Sequence, residues 1–509
     1  MNLTSHSNIH QRAFKNTIVG LISFIFYLAQ TIILVPVLLK YWGNEKYGVW
    51  IALYAAFSLL QSLDTGHINY IGNKLNISYH TNKEELKKTL ASSLFMAIII
   101  GLVQIIIVII LIVLNFLPSF TGIDSFLLNK YQVPASLIIL VIFWFISGSI
   151  GGILHRLLVP SGYYYQAQWW NILYRLCQFL SIMIVAIAGG SILDASIFYV
   201  LIQLVIYTLT FLYIKIKIPE FYPWWNGINI NIAFLNFRNS LVLTFNSFIQ
   251  QLSNNGIVLL ISNLFSSVIL PVFTTIRTMT NTALSITNLL INSILPDFIR
   301  YHSRKEKEKL YSVFIANWFF NGLVVNIGLI AVIPFAGYIF KFWTKGIINF
   351  DFNLFISLAA SISVINFGAG LYNYLYGINN LKAVSVITIT RVIILFLFSY
   401  YLSGFMGLSG IGIAVLISEI FSSMILPYFY VQKIFKSLNG SLDLKSTITA
   451  AVSPLILIVL VVFVLSGLEF NYYIWCIALS LITLTYIFNW NILDIEVKNR
   501  SKNLLRNLF

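Results

Sequence analysis

The sequence predicts an all-α polytopic membrane protein with about fourteen transmembrane helices, arranged as two pseudo-symmetric six-helix lobes plus two C-terminal helices. Three observations predict it. The 509 residues are 59% hydrophobic and only 9% charged, where a soluble domain is roughly a quarter charged. Apolar runs recur that are long enough to cross a bilayer, which takes about 20 residues each. The basic residues then fall in alternate connections, as the positive-inside rule requires.

In order, the runs lie near 16–39, 47–72, 89–115, 135–159, 167–188, 193–214, 239–264, 267–296, 311–333, 350–376, 382–403, 408–430, 448–467 and 470–490. With the N-terminus in the cytoplasm, inner connections hold 23 of the 31 Lys and Arg and outer ones hold five; Arg175, Arg277 and Arg391 fall within the bilayer. One missed span in the middle would collapse that split, so both termini are expected in the cytoplasm. Residues 1–218 form the N-terminal lobe and 219–238 a cytoplasmic linker with Pro219, Pro223, Trp224 and Trp225. Residues 239–436 form the C-terminal lobe, and 437–509 the last two helices with a cytoplasmic tail.

The net charge of +15 follows from this topology, and no nucleic-acid partner is expected. Cys177 and Cys476 lie inside apolar runs and read as buried thiols. The six histidines have no ligand spacing, so neither a metal nor a cofactor is expected. There is no phosphate-binding glycine loop, no Walker motif and no soluble catalytic domain, which excludes an ATP-driven pump acting alone and argues against an enzyme.

Four helices carry polar stripes. Helix one has Asn16, Gly20, Ser23, Tyr27 and Gln30, and helix two has Ser58, Gln61, Ser62, Asp64, Thr65 and Asn69. Helix seven has Asn246, Gln250 and Asn254; helix eight has Thr274, Arg277, Asn281, Ser285, Asn288 and Asn292. Steps of three and four share one helix face, and a polar face in an apolar helix predicts a wet cavity inside a membrane bundle. The matching pairs suggest parallel repeats with a pathway at their interface. Helices thirteen and fourteen lack such stripes and are expected outside the twelve-helix core. Pro36, Pro271, Pro427 and Pro454 interrupt spans, as static kinks or bending points. The run Gly404 to Gly412 reads as a tight outer turn followed by close helix packing.

Charges at membrane depth each need a reason. Asp64 and Arg175 fall at one depth, Arg391 and Glu419 at another. They are either two structural ion pairs or working groups, the acids then being sites of ion coupling. Arg277 has no acid at its depth and offers a forked donor suited to phosphate; the alternative is that it bonds backbone carbonyls at a helix break near Pro271. The candidate cavity residues are therefore Arg277, Arg175, Arg391, Asn281, Asn246, Gln250 and Gln30. Tyr163, Tyr164, Tyr165, Trp169, Trp170, Tyr372, Tyr374 and Tyr376 form interfacial belts or stack on sugars.

The run Val35-Pro36-Val37-Leu38-Leu39-Lys40-Tyr41-Trp42-Gly43-Asn44-Glu45-Lys46-Tyr47-Gly48-Val49-Trp50, followed by Ser62-Leu63-Asp64-Thr65-Gly66, resembles the N-terminal signature of Wzx-type polysaccharide flippases. These belong to the multidrug/oligosaccharidyl-lipid/polysaccharide exporter superfamily, and the fourteen-span layout extends the resemblance over essentially the whole chain. The resemblance implies translocation of an undecaprenyl-diphosphate-linked oligosaccharide between leaflets of a bacterial inner membrane by alternating access, for O-antigen, capsule or exopolysaccharide synthesis. It also implies cavity cations that meet the anionic substrate, a role falling to Arg277 with Arg175 and Arg391, and neighbouring glycan-assembly membrane proteins as partners. Arginines carried by lipid II flippases in their first two helices are missing here. A drug/cation antiporter of the superfamily is the first rival and would need an acidic cavity. A membrane glycan polymerase or ligase is the third reading and would need a large outer loop, whereas 116–134 and 334–349 are short.

Overall fold

The computed structural model describes residues 4–438, 440–465, 472–492 and 498. The side chains of Arg12, Lys15, Asn16, Tyr27 and Asn292 and the tail residues Arg500, Lys502 and Arg506 lie outside what it describes. Every regular element among the described residues is helical. The long ones are α1 (Thr4–Thr81), α2 (Lys83–Val113), α3 (Val133–Arg156), α4 (Tyr164–Ile187) and α5 (Ile192–Lys217). Next comes α6, which starts as Ile230–Gln251 and runs through a π-helical turn at Leu252–Gly256 into Ile257–Phe265. Then follow α7 (Leu270–Ser303), α8 (Lys307–Val332), α9 (Phe352–Gly377) and α10 (Leu381–Ser437). The last two are α11 (Leu444–Leu465) and α12 (Tyr472–Ile492). Nine of the described helical stretches are long and apolar enough to cross a membrane. The chain is an all-α, multi-pass membrane protein.

Polar residues in the connections start these helices. Asn82 accepts from the amides of Glu84 and Glu85 at 3.0 and 3.2 Å, Asn229 from Ile232 at 3.0 Å and Asp351 from Leu354 at 2.9 Å. Ser191 and Asp194 form a reciprocal capping box. Each satisfies first-turn amides that would otherwise lack partners. Two expected outer turns are built as breaks within continuous helix: Gly43 in α1 has φ 71° and Gly407 in α10 has φ 59°, a region open chiefly to glycine. Pro36 and Pro454 lie inside helices. Pro271 does not interrupt a span: it is the second residue of α7, where a missing amide hydrogen costs nothing. Pro296 sits inside that helix instead.

The chain divides into two compact units, Met1–Pro271 and Val272–Phe509. The first has a core in which Ile71 and Leu75 of α1 meet Leu86 and Leu90 of α2, Ile153 and Leu154 of α3 and Ile214 of α5. In it α6 lies along the second segment of α1. Gly66 of α1 faces the backbone of Leu243 and Thr244 so closely that any Cβ would collide. Beside that crossing His67 Nδ1 is 3.0 Å from Ser240 Oγ, Lys74 donates to Asn236 at 3.1 Å, and Asn239 donates to Tyr70 at 3.4 Å. His67, an odd residue in an apolar run, is thus a helix-crossing contact.

The second unit packs Phe298, Phe314, Trp318, Leu371, Ile387 and Phe435 around Tyr374. Tyr374 is fully buried and lies 2.7 Å from His302 Nδ1, so it belongs to neither a belt nor a sugar platform. Here α11 and α12 are tied in by a buried network. Asn326 donates to Ser453 at 2.6 Å and to Tyr486 at 3.2 Å, and Ser363 donates to Asn326 at 2.7 Å. Their other faces expose Val459, Val462, Leu484 and Phe488. Cys177 is half-buried, and Cys476 is exposed rather than buried, because it lies on one of those outer faces.

Candidate functional site

The first unit holds an open cavity of ≈ 320 Å³, far above the roughly 10–15 Å³ that one water needs and within the range of ligand pockets. Its floor is a stripe on α3, where Trp144 is followed by the pairs Ser147 and Gly148, Gly151 and Gly152, and His155 and Arg156, each pair three to four residues beyond the last. The glycines let neighbouring side chains pack close to α3: a Cβ would meet the Trp144 ring at Gly148, Phe211 and Tyr207 at Gly151, and Ile68 at Gly152. Thr65, Ile68 and Asn69 of α1 form one wall. Tyr164, Gln168, Asn171 and Tyr174 of α4, with Tyr207 of α5, form the other. Among the described residues the lining has no aspartate and no glutamate. It offers hydroxyls and amides, which both donate and accept, with one imidazole, one guanidinium and several aromatic faces.

The aromatic walls are fixed. Tyr174 and Tyr207 stack at 4.4 Å with planes 13° apart, and the Tyr174 hydroxyl is 2.6 Å from Thr210 Oγ1. Trp144 donates its indole N–H to Asp64 Oδ2 at 3.0 Å, and Ser149 donates to the same oxygen. Gly148 lies under the Trp144 ring, with no room for a Cβ. Phe145–Ile150 is a π-helical turn, and it brings Ser149 and Trp144 onto the same carboxylate. Asp64 therefore works from behind the wall: it orients Trp144 and does not line the cavity.

Sequence comparison matches the chain to no protein family and no curated protein. Solved structures do match. An inward-facing multidrug resistance MATE family transporter of the MOP superfamily shares 16% identity at TM-score 0.60, covering 82% of this chain and 95% of that one. The lipid II flippase MurJ in an inward closed conformation shares 15% identity at TM-score 0.63, covering 93% of this chain and 97% of that one. A MOP superfamily transporter from Pyrococcus furiosus, described by a binding pocket of reversed polarity that suggests a different function, shares 16% at TM-score 0.53, covering 82% and 96%. The fold is that of the MOP-superfamily transporters.

Within this MOP fold the residues expected from sequence separate. Arg391 and Glu419 form the expected pair in the second unit: Arg391 donates to Glu419 at 3.0 Å and to Ser422 and Ser423 at 3.1 and 2.9 Å. Asp64 and Arg175 do not pair. Asp64 is bonded by Trp144 and Ser149, and Arg175 is exposed on another face of α4. Depth along a helix matched them, but direction around it did not. Arg277 is half-buried with its guanidinium carbon 5.9 Å from the Phe273 ring centroid. Since α7 begins at Leu270, no helix break lies beside it. Asn281 and Asn246 are half-buried and Gln250 is exposed. Gln30 is half-buried and its Oε1 has no partner among the described residues.

The motif Trp42 to Trp50 is a structural knot. Trp42 donates to the Gly190 carbonyl at 3.2 Å, Asn44 donates to Val268 at 2.8 Å, and Gly48 lets α1 touch the Ser267 carbonyl. Of the stripe expected on helix two, Thr65 and Asn69 line this cavity; its walls on α3 and α4 were not expected. Tyr164, Gln168, Asn171 and Tyr174 form a polar stripe as regular as those on the other helices, but of these only Tyr164 stands out in the sequence, beside Trp169 and Trp170, as part of an interfacial belt or a platform for sugars. Arg156 read as a topology charge.

Proposed function

We propose that this protein is a flippase that carries an undecaprenyl-diphosphate-linked oligosaccharide repeat unit from the inner to the outer leaflet of a bacterial cytoplasmic membrane. The observation that carries this reading is the cavity lining: hydroxyls, amides and fixed aromatic faces without a carboxylate. A sugar headgroup loses its water on entering hydrocarbon, at a cost of several kcal/mol per unpaired polar group. Groups that both donate and accept replace that water, and the faces of Tyr174 and Trp144 cover the apolar faces of sugar rings. The prenyl tail needs no protein path, because it stays in lipid. No bond is made or broken, and the fold neighbours are transporters and flippases. The match to the lipid II flippase covers 93% of this chain, against 82% for the drug transporter, which also supports the reading.

A drug/cation antiporter would place its acid where a cationic drug meets it. Asp64 is held behind Trp144, and the described cavity has no acid of its own. The test is leaflet location. Depletion of the protein is expected to trap lipid-linked oligosaccharide in the inner leaflet, out of reach of an impermeant periodate or lectin probe added outside. An unchanged outer-leaflet pool overturns the proposal.

A further inference from the structure

We propose that Arg156, at the mouth of this cavity, binds the diphosphate of a lipid-borne headgroup. The inference rests on the flippase reading for the identity of the lipid and on the geometry for the phosphate.

Arg156 is the last residue of a 24-residue apolar span, so it stands at headgroup depth, where a phosphate anchored by a prenyl tail also sits. Its side chain lies across α1 at Gly72. A Cβ there would stand 2.9 Å from Arg156 Cδ, 3.1 Å from Cγ and 3.3 Å from Nε. The glycine is the groove in which the guanidinium stem rests. Nη2 donates to Asn69 Oδ1. That partner is neutral, and no carboxylate lies within ion-pair distance of Arg156 among the described residues. One amide oxygen uses one of five N–H donors, so most of the fork stays available. Next to it, Nε2 of His155 is buried without a partner among the described residues, and His155 also lines the cavity.

A neutral sugar needs no cation. A guanidinium oriented by a neutral amide, in a cavity without acids, is complementary to an anion that arrives and leaves. The unengaged N–H groups of the fork suit a diphosphate, which presents oxygens on both phosphorus atoms. The aromatic stripe leading away from Arg156 then receives the first sugars.

The experiment uses the full chain in phosphatidylcholine nanodiscs, titrated with inorganic pyrophosphate, farnesyl diphosphate and farnesol. Farnesyl diphosphate is expected to bind at least as tightly as pyrophosphate, and farnesol far more weakly. Arg156→Ala is expected to weaken both diphosphates by about ten- to a hundredfold, with Arg156→Lys in between. Asn69→Asp keeps the shape of the site but places a carboxylate on the guanidinium, and is expected to weaken both ligands while unfolding at the wild-type temperature. Wild-type affinity in both Arg156→Ala and Asn69→Asp overturns the proposal. Pyrophosphate binding tighter than farnesyl diphosphate assigns the site to a soluble ligand and overturns the lipid-borne source. Phosphatidylglycerol competing as well as farnesyl diphosphate reduces Arg156 to a surface charge and overturns it too. If depletion leaves the leaflet pool unchanged while diphosphate binding still requires Arg156, the flippase reading falls and the site stands. Trapping on depletion with wild-type binding by Arg156→Ala gives the reverse.

Discussion

Asp64 in the first unit and Glu419 in the second are acids at membrane depth, and each is held against a π-helical turn. Phe145–Ile150 supplies Ser149 to Asp64, and Ile420–Ile425 supplies Ser422 and Ser423 to Glu419. A π turn widens the helix by one residue and often marks a working position. Beyond that the two sites diverge. Glu419 receives Arg391, whose fork also engages both serines. The charges cancel within one closed network, and neither member is left for cargo. Asp64 receives an indole and a hydroxyl but no cation, and its Oδ1 is buried without a partner among the described residues. The same local device thus makes a rigid strut in one unit and a mount for a cavity wall in the other.

The largest effect should come from the strut. Arg391→Ala leaves Glu419 buried and unpaired, a loss of about 3–5 kcal/mol, read as a large fall in thermal unfolding temperature in detergent. Glu419→Ala should match it, and the double variant should cost much less than the two together, as for groups in one network. Additive losses would show that the pair is not the unit it looks like. Next in size is the mount. Asp64→Ala leaves the Trp144 N–H and Ser149 without their acceptor, worth about 1–3 kcal/mol. Asp64→Asn keeps an acceptor oxygen and should cost less. Diphosphate binding should persist in Asp64→Asn, since Arg156 is untouched. An Asp64→Ala loss as large as that of Glu419→Ala would mean that Asp64 has a charged partner after all, and the contrast between the units would disappear.

The strut was readable in the sequence and the mount was not, for a geometric reason. Counting residues along a span gives depth, and Arg391 and Glu419 share depth on neighbouring helices. Asp64 and Arg175 share depth too, yet Arg175 points away, and nothing in a single helix says which neighbour it faces. The helices themselves were legible, down to breaks at Gly43 and Gly407, because apolar length and glycine are local signals. The cavity was less so: its walls close on Gly148, Gly151 and Gly152 of α3, and Arg156 rests on Gly72 of α1; glycines on different helices announce nothing until packing brings them together.

Smaller effects follow from those close approaches. A Cβ at Gly368 would run into the Ser423 carbonyl, beside the strut, and one at Gly148 into the Trp144 ring. Backbone cannot rotate away, whereas an indole held by one hydrogen bond can shift. Gly368→Ala should therefore cost more than Gly148→Ala, each within the 1–3 kcal/mol range of overpacked sites. Gly148→Ala should also move Trp144 fluorescence, compared against Trp144→Phe, and Gly368→Ala should not. An equal cost at both sites would remove the distinction between a stiff second-unit site and a yielding first-unit one.

The smallest effect tests a charge pair that lies outside the membrane, a control for the buried ones. Glu45 accepts from Lys130 at 2.7 Å and from Tyr131 at 2.6 Å, and these bonds, Lys130 first and Tyr131 second, hold its carboxyl below the usual value of 4.5. A depressed acid stabilises the fold above its unfolded pKa and loses that contribution as pH falls through the lower folded value. Glu45→Gln should therefore lower the unfolding temperature slightly at pH 7, by less than about 2 °C for so exposed a pair. The gap from wild type should close as the pH drops below 4.5. Salt should shrink it at pH 7 while leaving the Arg391–Glu419 variants unmoved, because water screens one pair and protein encloses the other. A salt response shared by both pairs would place Arg391 and Glu419 in contact with bulk water and end the description of that site as closed.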